Sequence, residues 1–250
     1  MIKKIITLAF MLSVLYSASP LVLAHTTIKD RAQEGVDLYT ADVIAHGCSG
    51  GTKEMLNVIG QSVVFPNGPN DIVTRSDTGG TLSLGSVIVG GKYSHGVINP
   101  VPIQNKNVFD TMVPIADQTQ VVRALHYTDG DLPETPVLVN GIIPFKFSGV
   151  TFVPSSCATQ LNVQIAIADW CTQGTGSRRA NVWIGKATPM FPASGPAGEA
   201  IAANFWPVLI VNRNLTTNPL PPNCGKGYQV TVEPSADAID EYLPLPGFNP

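Results

Sequence analysis

The fold is decided by one stretch, Leu161-Asn162-Val163-Gln164-Ile165-Ala166-Ile167, in which apolar residues fall at every second position. This period is typical of a β-strand with one face in a core. Turn signals separate it from eight other short β-like runs: residues 38–45, 55–65, 81–89, 121–127, 145–153, 180–184, 208–211 and 228–232. Strands at this spacing predict an all-β chain folded as an antiparallel sandwich.

The composition of the 250-residue chain favours short elements over long helices, since it includes 23 Gly and 21 Pro. Charged residues make up 13% of the chain and hydrophobic residues 44%, with 15 Lys and Arg against 18 Asp and Glu. The chain is therefore too apolar for a disordered segment and too poor in charge for a coiled coil. It is also not basic enough for a nucleic-acid-binding protein.

Residues 1–24 have the three parts of a secretory signal peptide. Lys3-Lys4 forms the positive region, residues 5–15 form an apolar run, and Val22-Leu23-Ala24 places small residues at the cleavage positions. The alternative is a membrane anchor, but the run is short for a span of about 20 residues. We predict cleavage after Ala24 and a periplasmic or secreted protein, with no further membrane span. Loss of both lysines leaves 13 positive against 18 negative residues, a net charge of −5.

Cleavage after Ala24 makes His25 the first residue of the mature chain. A free α-amine and the imidazole Nδ1 of one residue can chelate a single ion, and this nitrogen pair suits Cu(II) in tetragonal geometry. The alternative is an exposed residue at a frayed end, because any residue type can follow a cleavage site.

Four cysteines follow the predicted signal: Cys48, Cys157, Cys171 and Cys224. In an oxidising compartment an even number favours two structural disulfides, for which three connectivities exist. The absence of a CxxC motif argues against a thiolate metal cluster or a thioredoxin-like redox site.

Three segments, in order along the chain, carry a family resemblance. The first, Ala24-His25-Thr26-Thr27-Ile28, resembles a signal junction at which His opens the mature chain. The second, His46-Gly47-Cys48-Ser49-Gly50-Gly51-Thr52-Lys53, resembles an HGCxGxxT turn that leads into a strand. The third comprises an aromatic residue, a Gly turn with Leu-Pro, a Phe-rich strand, a Cys and a Trp: Tyr127 to Glu134, Phe147, Phe152, Cys157 and Trp170. Together they are similar to the YcnI-like copper-binding family, secreted bacterial proteins, over roughly residues 25–190.

The resemblance implies an immunoglobulin-like β-sandwich over residues 25–190. Residues 191–250 are then a Pro-rich C-terminal extension, partly strand and partly tail. The family binds Cu(II) through the amine and imidazole of its first His, a Glu carboxylate and a nearby Trp. Carried over, these roles fall to His25, Glu134 and Trp170, with Trp170 shielding the metal from solvent.

This chain departs from the family pattern at two points. The acidic cluster after the Leu-Pro turn is thinned to Thr135-Pro136-Val137, so three other carboxylates remain alternatives to Glu134: Glu34, Asp30 and Asp131. Cys171 and Cys224 look additional, and the expected disulfides are Cys48 with Cys157 and Cys171 with Cys224. The alternative role for Trp170 is a core Trp that packs on a disulfide.

Among the other histidines, His95 in a Gly-flanked loop is the candidate extra metal ligand. With His25 it would form the histidine brace of a lytic polysaccharide monooxygenase, but no flat aromatic surface for a polysaccharide is evident in the sequence. His46 reads as a turn residue beside Cys48, and His126 as a partly buried strand residue.

The sequence therefore predicts a copper-binding protein of the periplasm or the medium that takes part in copper homeostasis. It would hold one Cu(2+) for capture, storage or delivery, as a copper chaperone does, and another envelope copper protein is a candidate partner. No GxSxG, HExxH or Walker A motif occurs, so we predict no enzymatic activity. The alternatives are a structural or interaction domain of the cell envelope and, more remotely, a copper monooxygenase.

Overall fold

The computed structural model describes residues 26–49, 55–90, 100–132, 140–173, 180–192 and 206–248. In these ranges the regular elements are mainly β-strands, which form three larger sheets and a two-stranded ribbon. The all-β sandwich predicted from the sequence is confirmed. The predicted signal peptide, residues 1–24, lies outside the described residues.

The first sheet contains, in spatial order, β1 (Thr27–Ile28), β3 (Leu38–Ile44), β11 (Gly141–Phe147) and β8 (Pro100–Pro102), all antiparallel. The second contains β14 (Ala180–Trp183), β13 (Ala166–Trp170), β6 (Gly60–Val64), β10 (Val122–Gly130) and β9 (Phe109–Ala116). Its pairings are antiparallel as well. These two sheets contribute the side chains of the candidate site described below.

The third sheet contains β2 (Ala32–Gln33), β15 (Val208–Asn212), β12 (Ala158–Gln164), β16 (Tyr228–Glu233) and β7 (Ile72–Arg75). Two of its pairings, β12 with β16 and β15 with β2, are parallel. The sheet is therefore mixed, whereas the sequence predicted antiparallel pairing. The small ribbon joins β4 (Cys48–Ser49) to β5 (Met55–Leu56).

The stretch with alternating residues contributes to two sheets. Residues up to Gln164 belong to β12 and alternate between buried and half-buried positions, as predicted. After Ile165 the chain enters β13, in which every residue is buried. The small residues Ala166 and Ala168 allow this strand to be covered on both faces.

The region predicted as a C-terminal extension supplies β15 and β16 to the third sheet. A short helix, α1 (Ala236–Tyr242), follows, and its N-cap Ser235 accepts a hydrogen bond from the Ala238 N–H at 3.2 Å. Ile239 and Leu243 bury this helix in a core cluster that also contains Trp170. No helix in the described ranges is long and apolar enough to cross a membrane.

Residues 81–89 do not form the strand that their apolar pattern predicts. They contain the 3₁₀ turn Leu84–Ser86, and Thr81 and Ile88 each make a single isolated bridge. The Ser86 hydroxyl donates to the Ser83 carbonyl at 2.6 Å, a local hydrogen bond that competes with strand pairing.

The disulfides join Cys48 to Cys171 and Cys157 to Cys224, so the predicted connectivity is wrong. The sheets explain the observed pairs. Cys171 directly follows β13, whose last residue, Trp170, pairs with Gly60 close to the ribbon that holds Cys48. Cys157 precedes Ala158, which pairs in parallel with Tyr228, and Cys224 lies just before that residue.

Candidate functional site

The residues predicted to hold copper fall in different parts of the structure. His25, Glu134 and the possible extra ligand His95 lie outside the described residues. Trp170 is fully buried, its Nε1–H donates to the Ser62 Oγ at 2.9 Å, and its ring centroid is 5.7 Å from that of Phe248. It also precedes Cys171 of the Cys48–Cys171 disulfide. Its surroundings are those of a core tryptophan.

Thr26 is the first described residue, and it enters the interior at once. Its side chain is buried, and its hydroxyl donates to the Asp169 Oδ2 at 2.6 Å. The next two residues pair with β3, so that Ile28 lies opposite Asp42. The start of the described chain is therefore fixed beside two carboxylates.

These carboxylates, Asp42 and Asp169, form a buried pair that we call the carboxylate centre. Gln61 bridges them, since its Nε2 donates to the Asp42 Oδ2 and, at 2.9 Å, to the Asp169 Oδ1. All three side chains are almost completely inaccessible to solvent. They come from three strands of two sheets: β3 carries Asp42, β6 carries Gln61 and β13 carries Asp169.

The two carboxylates differ in the number of their donors. Asp169 accepts from Thr26 and Gln61 and, at 2.8 Å, from the Trp183 Nε1–H. The Asp42 Oδ1 has no hydrogen-bond partner within the described residues, and the same holds for the Gln61 Oε1 and the Tyr127 hydroxyl. Buried polar atoms without partners are rare in folded proteins, and each needs an explanation.

Burial controls the ionisation of the centre. The pKa of Asp42 is raised well above its ordinary value, first by burial and then by the charge of Asp169, against which hydrogen bonds from Gln61 and Val43 act. Burial also raises the pKa of Asp169, opposed by its donors Thr26, Gln61 and Trp183 and by the charge of His46. Two buried carboxylates that share one amide donor favour a bound proton or a cation.

The turn at residues 46–48 covers the centre. The His46 Nδ1 lies 2.5 Å from the Gly47 carbonyl oxygen. The His46 ring meets that of Trp183 edge-on at 6.3 Å, and the Cys48 Sγ lies 3.5 Å from the Asp169 carbonyl oxygen. Asn181 fastens the turn by donating to the Gly47 carbonyl at 3.1 Å.

The three alternative carboxylates make contacts elsewhere. Glu34 accepts three hydrogen bonds, one each from the Phe152 and Asn214 N–H groups and one from the side chain of Asn218: 2.7, 2.8 and 2.7 Å. Asp30 pairs with the neighbouring Lys29 at 3.0 Å on the surface. Asp131 accepts from the Asn57 Nδ2 at 2.6 Å. Across the described residues, no three His, Cys, Asp or Glu side chains form a group able to hold a metal ion.

Sequence reasoning missed Asp42 and Asp169, although the sequence contains a signal for both. Each lies within a short apolar stretch, Ala41-Asp42-Val43-Ile44 and Ala166-Ile167-Ala168-Asp169-Trp170, the first inside a predicted strand and the second at the end of one. Aspartate is almost never fully buried unless it is paired or binds a ligand, so a carboxylate in such a strand marks a candidate site.

Comparisons with known proteins give little on function. No family model matches the chain, and a search of curated proteins found no match. Among solved structures, one similar chain is an uncharacterized protein from Nocardia farcinica with an immunoglobulin-like fold. The two are 12% identical with a TM-score of 0.37, and the match covers 76% of this chain and 98% of that one. The resemblance to the YcnI-like family stays a prediction.

Proposed function

We propose that the protein is an exported copper-binding protein that holds one Cu(II) through the α-amine and imidazole Nδ1 of His25, with a carboxylate oxygen as the third ligand. Neutral nitrogens with carboxylate oxygen suit Cu(II) in tetragonal geometry. The likeness of the first residues to the YcnI-like junction supports the identity of the chelating residue. Its role would be capture, storage or delivery of copper rather than turnover.

The observation that carries the proposal is the hydrogen bond between Thr26 and buried Asp169. Thr26 is bonded directly to His25 in the sequence, so the residue next to the proposed chelator contacts the carboxylate centre. The signal cleavage predicted after Ala24 would create the chelating amine at this point. A buried pair of acids supplies the negative charge that a divalent cation needs.

Two carboxylates are candidates for the third ligand. Glu134 has this role by the family resemblance. Asp42 is favoured by its unpartnered Oδ1 and by its position opposite Ile28 in the sheet. Asp169 is the weaker candidate, because three donors already occupy its oxygens.

The test is copper content together with electron paramagnetic resonance on protein cleaved after Ala24. The matched control carries one additional Gly before His25, which moves the amine and leaves the rest of the chain unchanged. We expect one Cu(II) with nitrogen coupling in the cleaved protein, and loss of that signal in the extended one. Equal binding by both proteins, or no copper in either, would refute the proposal.

Two substitutions then identify the oxygen ligand. Glu134→Gln and Asp42→Asn each remove one charge with little change in shape. The ligand is the residue whose substitution changes the copper spectrum as well as the affinity, because a nearby charge alters affinity with the spectrum intact.

The second candidate function is a structural or interaction domain of the cell envelope that binds no metal. The burial of Trp170 and its hydrogen bond to Ser62 favour it, because they give this tryptophan a purely internal role. Absence of copper from correctly cleaved, folded protein would select this function.

A further inference from the structure

A cleft separate from the carboxylate centre lies between the loop after β6, the start of β10 and α1. Its volume is about 240 Å³, and it is lined by Phe65, Gly68, Arg123, Asp237, Glu241 and Tyr242, among others. Pockets for drug-sized ligands measure roughly 300–1,000 Å³, so this cleft suits a smaller solute.

The lining of the cleft includes a buried arginine, one donor of which is unpartnered within the described residues. Arg123 is 9% exposed, and its Nε and Nη2 donate to the Asp117 Oδ2 at 2.8 and 2.5 Å. Its Nη1 is buried and has no hydrogen-bond partner among the described residues. An unmet donor on a buried guanidinium is costly, and an acceptor oxygen from a ligand would satisfy it.

Gly68 lies directly beside this donor. A Cβ built on Gly68 would lie 3.4 Å from the Arg123 Nη1 and 3.0 Å from the Asp71 Oδ1. Asp71 holds the loop in place by accepting from the Gly68 N–H at 2.5 Å and from the Ser235 N–H at 3.3 Å. The loop and the start of α1 therefore form a fixed wall around the guanidinium.

The rim of the cleft carries the opposite charge. Asp237 and Glu241 are exposed and lie four residues apart, on the same side of α1. Tyr242 hydrogen-bonds Glu241. Within the described residues neither rim carboxylate pairs with Arg123, which is paired with Asp117 and whose charge also acts on the nearby Asp71 carboxylate.

We propose that this cleft binds a small zwitterion of the α-amino acid class, with its carboxylate on the Arg123 Nη1 and its ammonium group on Glu241 and Asp237. A simple anion would meet the donor but would be repelled by the rim carboxylates. A simple cation would be attracted to the rim but would leave the donor unmet. A zwitterion satisfies both ends. This site is independent of the proposed copper site.

The test uses amide NMR spectra of the metal-free mature protein, because free amino acids themselves chelate Cu(II). The probes are L-leucine and its two halves: isocaproate, which lacks the amine, and isoamylamine, which lacks the carboxylate. We expect leucine at millimolar concentration to shift amides around residues 65–70, 117–123 and 235–242. Each half should bind about tenfold more weakly, the equivalent of one lost charged contact.

Two variants test the site without a substitution of Arg123, whose guanidinium is buried in the fold. Gly68→Ala places a methyl group beside the donor without a change of charge, and Glu241→Gln removes a rim charge. Each should weaken leucine binding about fivefold or more, the scale of one partly exposed charged contact. The control Asp110→Asn, an exposed aspartate in β9, should have no effect.

Several results would overturn the assignment. If isocaproate binds as tightly as leucine, the cleft is a simple anion site. If isoamylamine binds as tightly as leucine, it is a simple cation site. Shifts unaffected by Gly68→Ala would place the ligand elsewhere, and no shifts with any probe would remove the site.

Discussion

Glu34 and the Asp42–Asp169 centre are both buried carboxylate sites, but they are satisfied to different extents. Both oxygens of Glu34 accept hydrogen bonds, from two backbone N–H groups and the Asn218 side chain. Asp42 accepts from the Gln61 side chain on one oxygen and has an unpartnered second oxygen within the described residues. The donors around a buried charge, rather than its burial, thus distinguish a structural carboxylate from one suited to a ligand.

The largest expected effect is at Glu34. Glu34→Ala should lower the free energy of unfolding by about 3–5 kcal/mol, because it leaves buried donors unpaired around Phe152 and Asn218. Urea denaturation measures this loss. The matched control is Asp37→Ala, which removes an exposed carboxylate paired with Lys146 and should cost far less stability than Glu34→Ala. Equal losses in the two variants would show that the Glu34 hydrogen bonds contribute no special stability.

At the carboxylate centre, removal of a carboxylate is expected to raise stability rather than lower it. Above the raised pKa of Asp42, Asp42→Asn should increase the stability of the metal-free protein by about 1–2 kcal/mol, since there it removes one of two buried like charges. The same change should weaken copper retention. Asp169→Asn is the contrast: its amide would face donors from Thr26 and Trp183, so stability should fall. A destabilised Asp42→Asn protein would contradict the view that this pair is strained without a cation.

The pH dependence of stability should distinguish the titration of Asp42 from that of the other titratable groups. The folded-state pKa of Asp42 lies above the unfolded value of about 3.9, so the folded state binds the proton more tightly. Stability of the metal-free protein therefore falls as the pH rises from about 4 through this raised pKa. The Asp42→Asn protein should lose less.

The titration of Asp71 also makes stability fall with rising pH, in the wild-type and the Asp42→Asn protein alike. Burial raises its pKa to about 6, so its contribution is lost between about pH 4 and 6 and cancels in the difference between them. Melting temperatures from pH 4 to about 8 give that difference. If the melting temperatures of the two proteins change in parallel with pH, Asp42 does not titrate as its burial requires.

The smallest effects are expected at the surface carboxylates. Asp30→Asn and Asp131→Asn should each change stability by less than about 0.5 kcal/mol, because their contacts are exposed. Copper content should also be unchanged. A loss of copper in either variant would restore that residue as a ligand and weaken the case for Asp42.

Much of the fold could be predicted because strand patterns are local. Alternation from Leu161 to Ile167 predicted a strand, and the structure adds only the change of sheet at Ile165. Pairing between distant segments could not be read in this way. The disulfides were assigned wrongly because the positions of Cys171 and Cys224 depend on strands that lie beside them only in the folded chain.

For the candidate site, the residue types can be recognised in the sequence, but which of them meet in the folded chain cannot. A carboxylate in an apolar strand can be recognised at Asp42 and at Asp169 separately. Their meeting through Gln61 requires two sheets to face each other at those positions. Trp183 was missed for a similar reason, since only the structure places its indole N–H on Asp169.

The third sheet has a consequence for the order of folding. Its N-terminal strand β2 pairs with β15, and its inner strand β12 is flanked by β15 and β16, so the sheet draws on residues 32 to 233. The sheet cannot be completed until almost the whole chain has been synthesised. Pairings between such distant segments also slow folding, because the loops between them must close first. The third sheet would therefore form late, whereas the second sheet, drawn from residues 60 to 183, needs less of the chain.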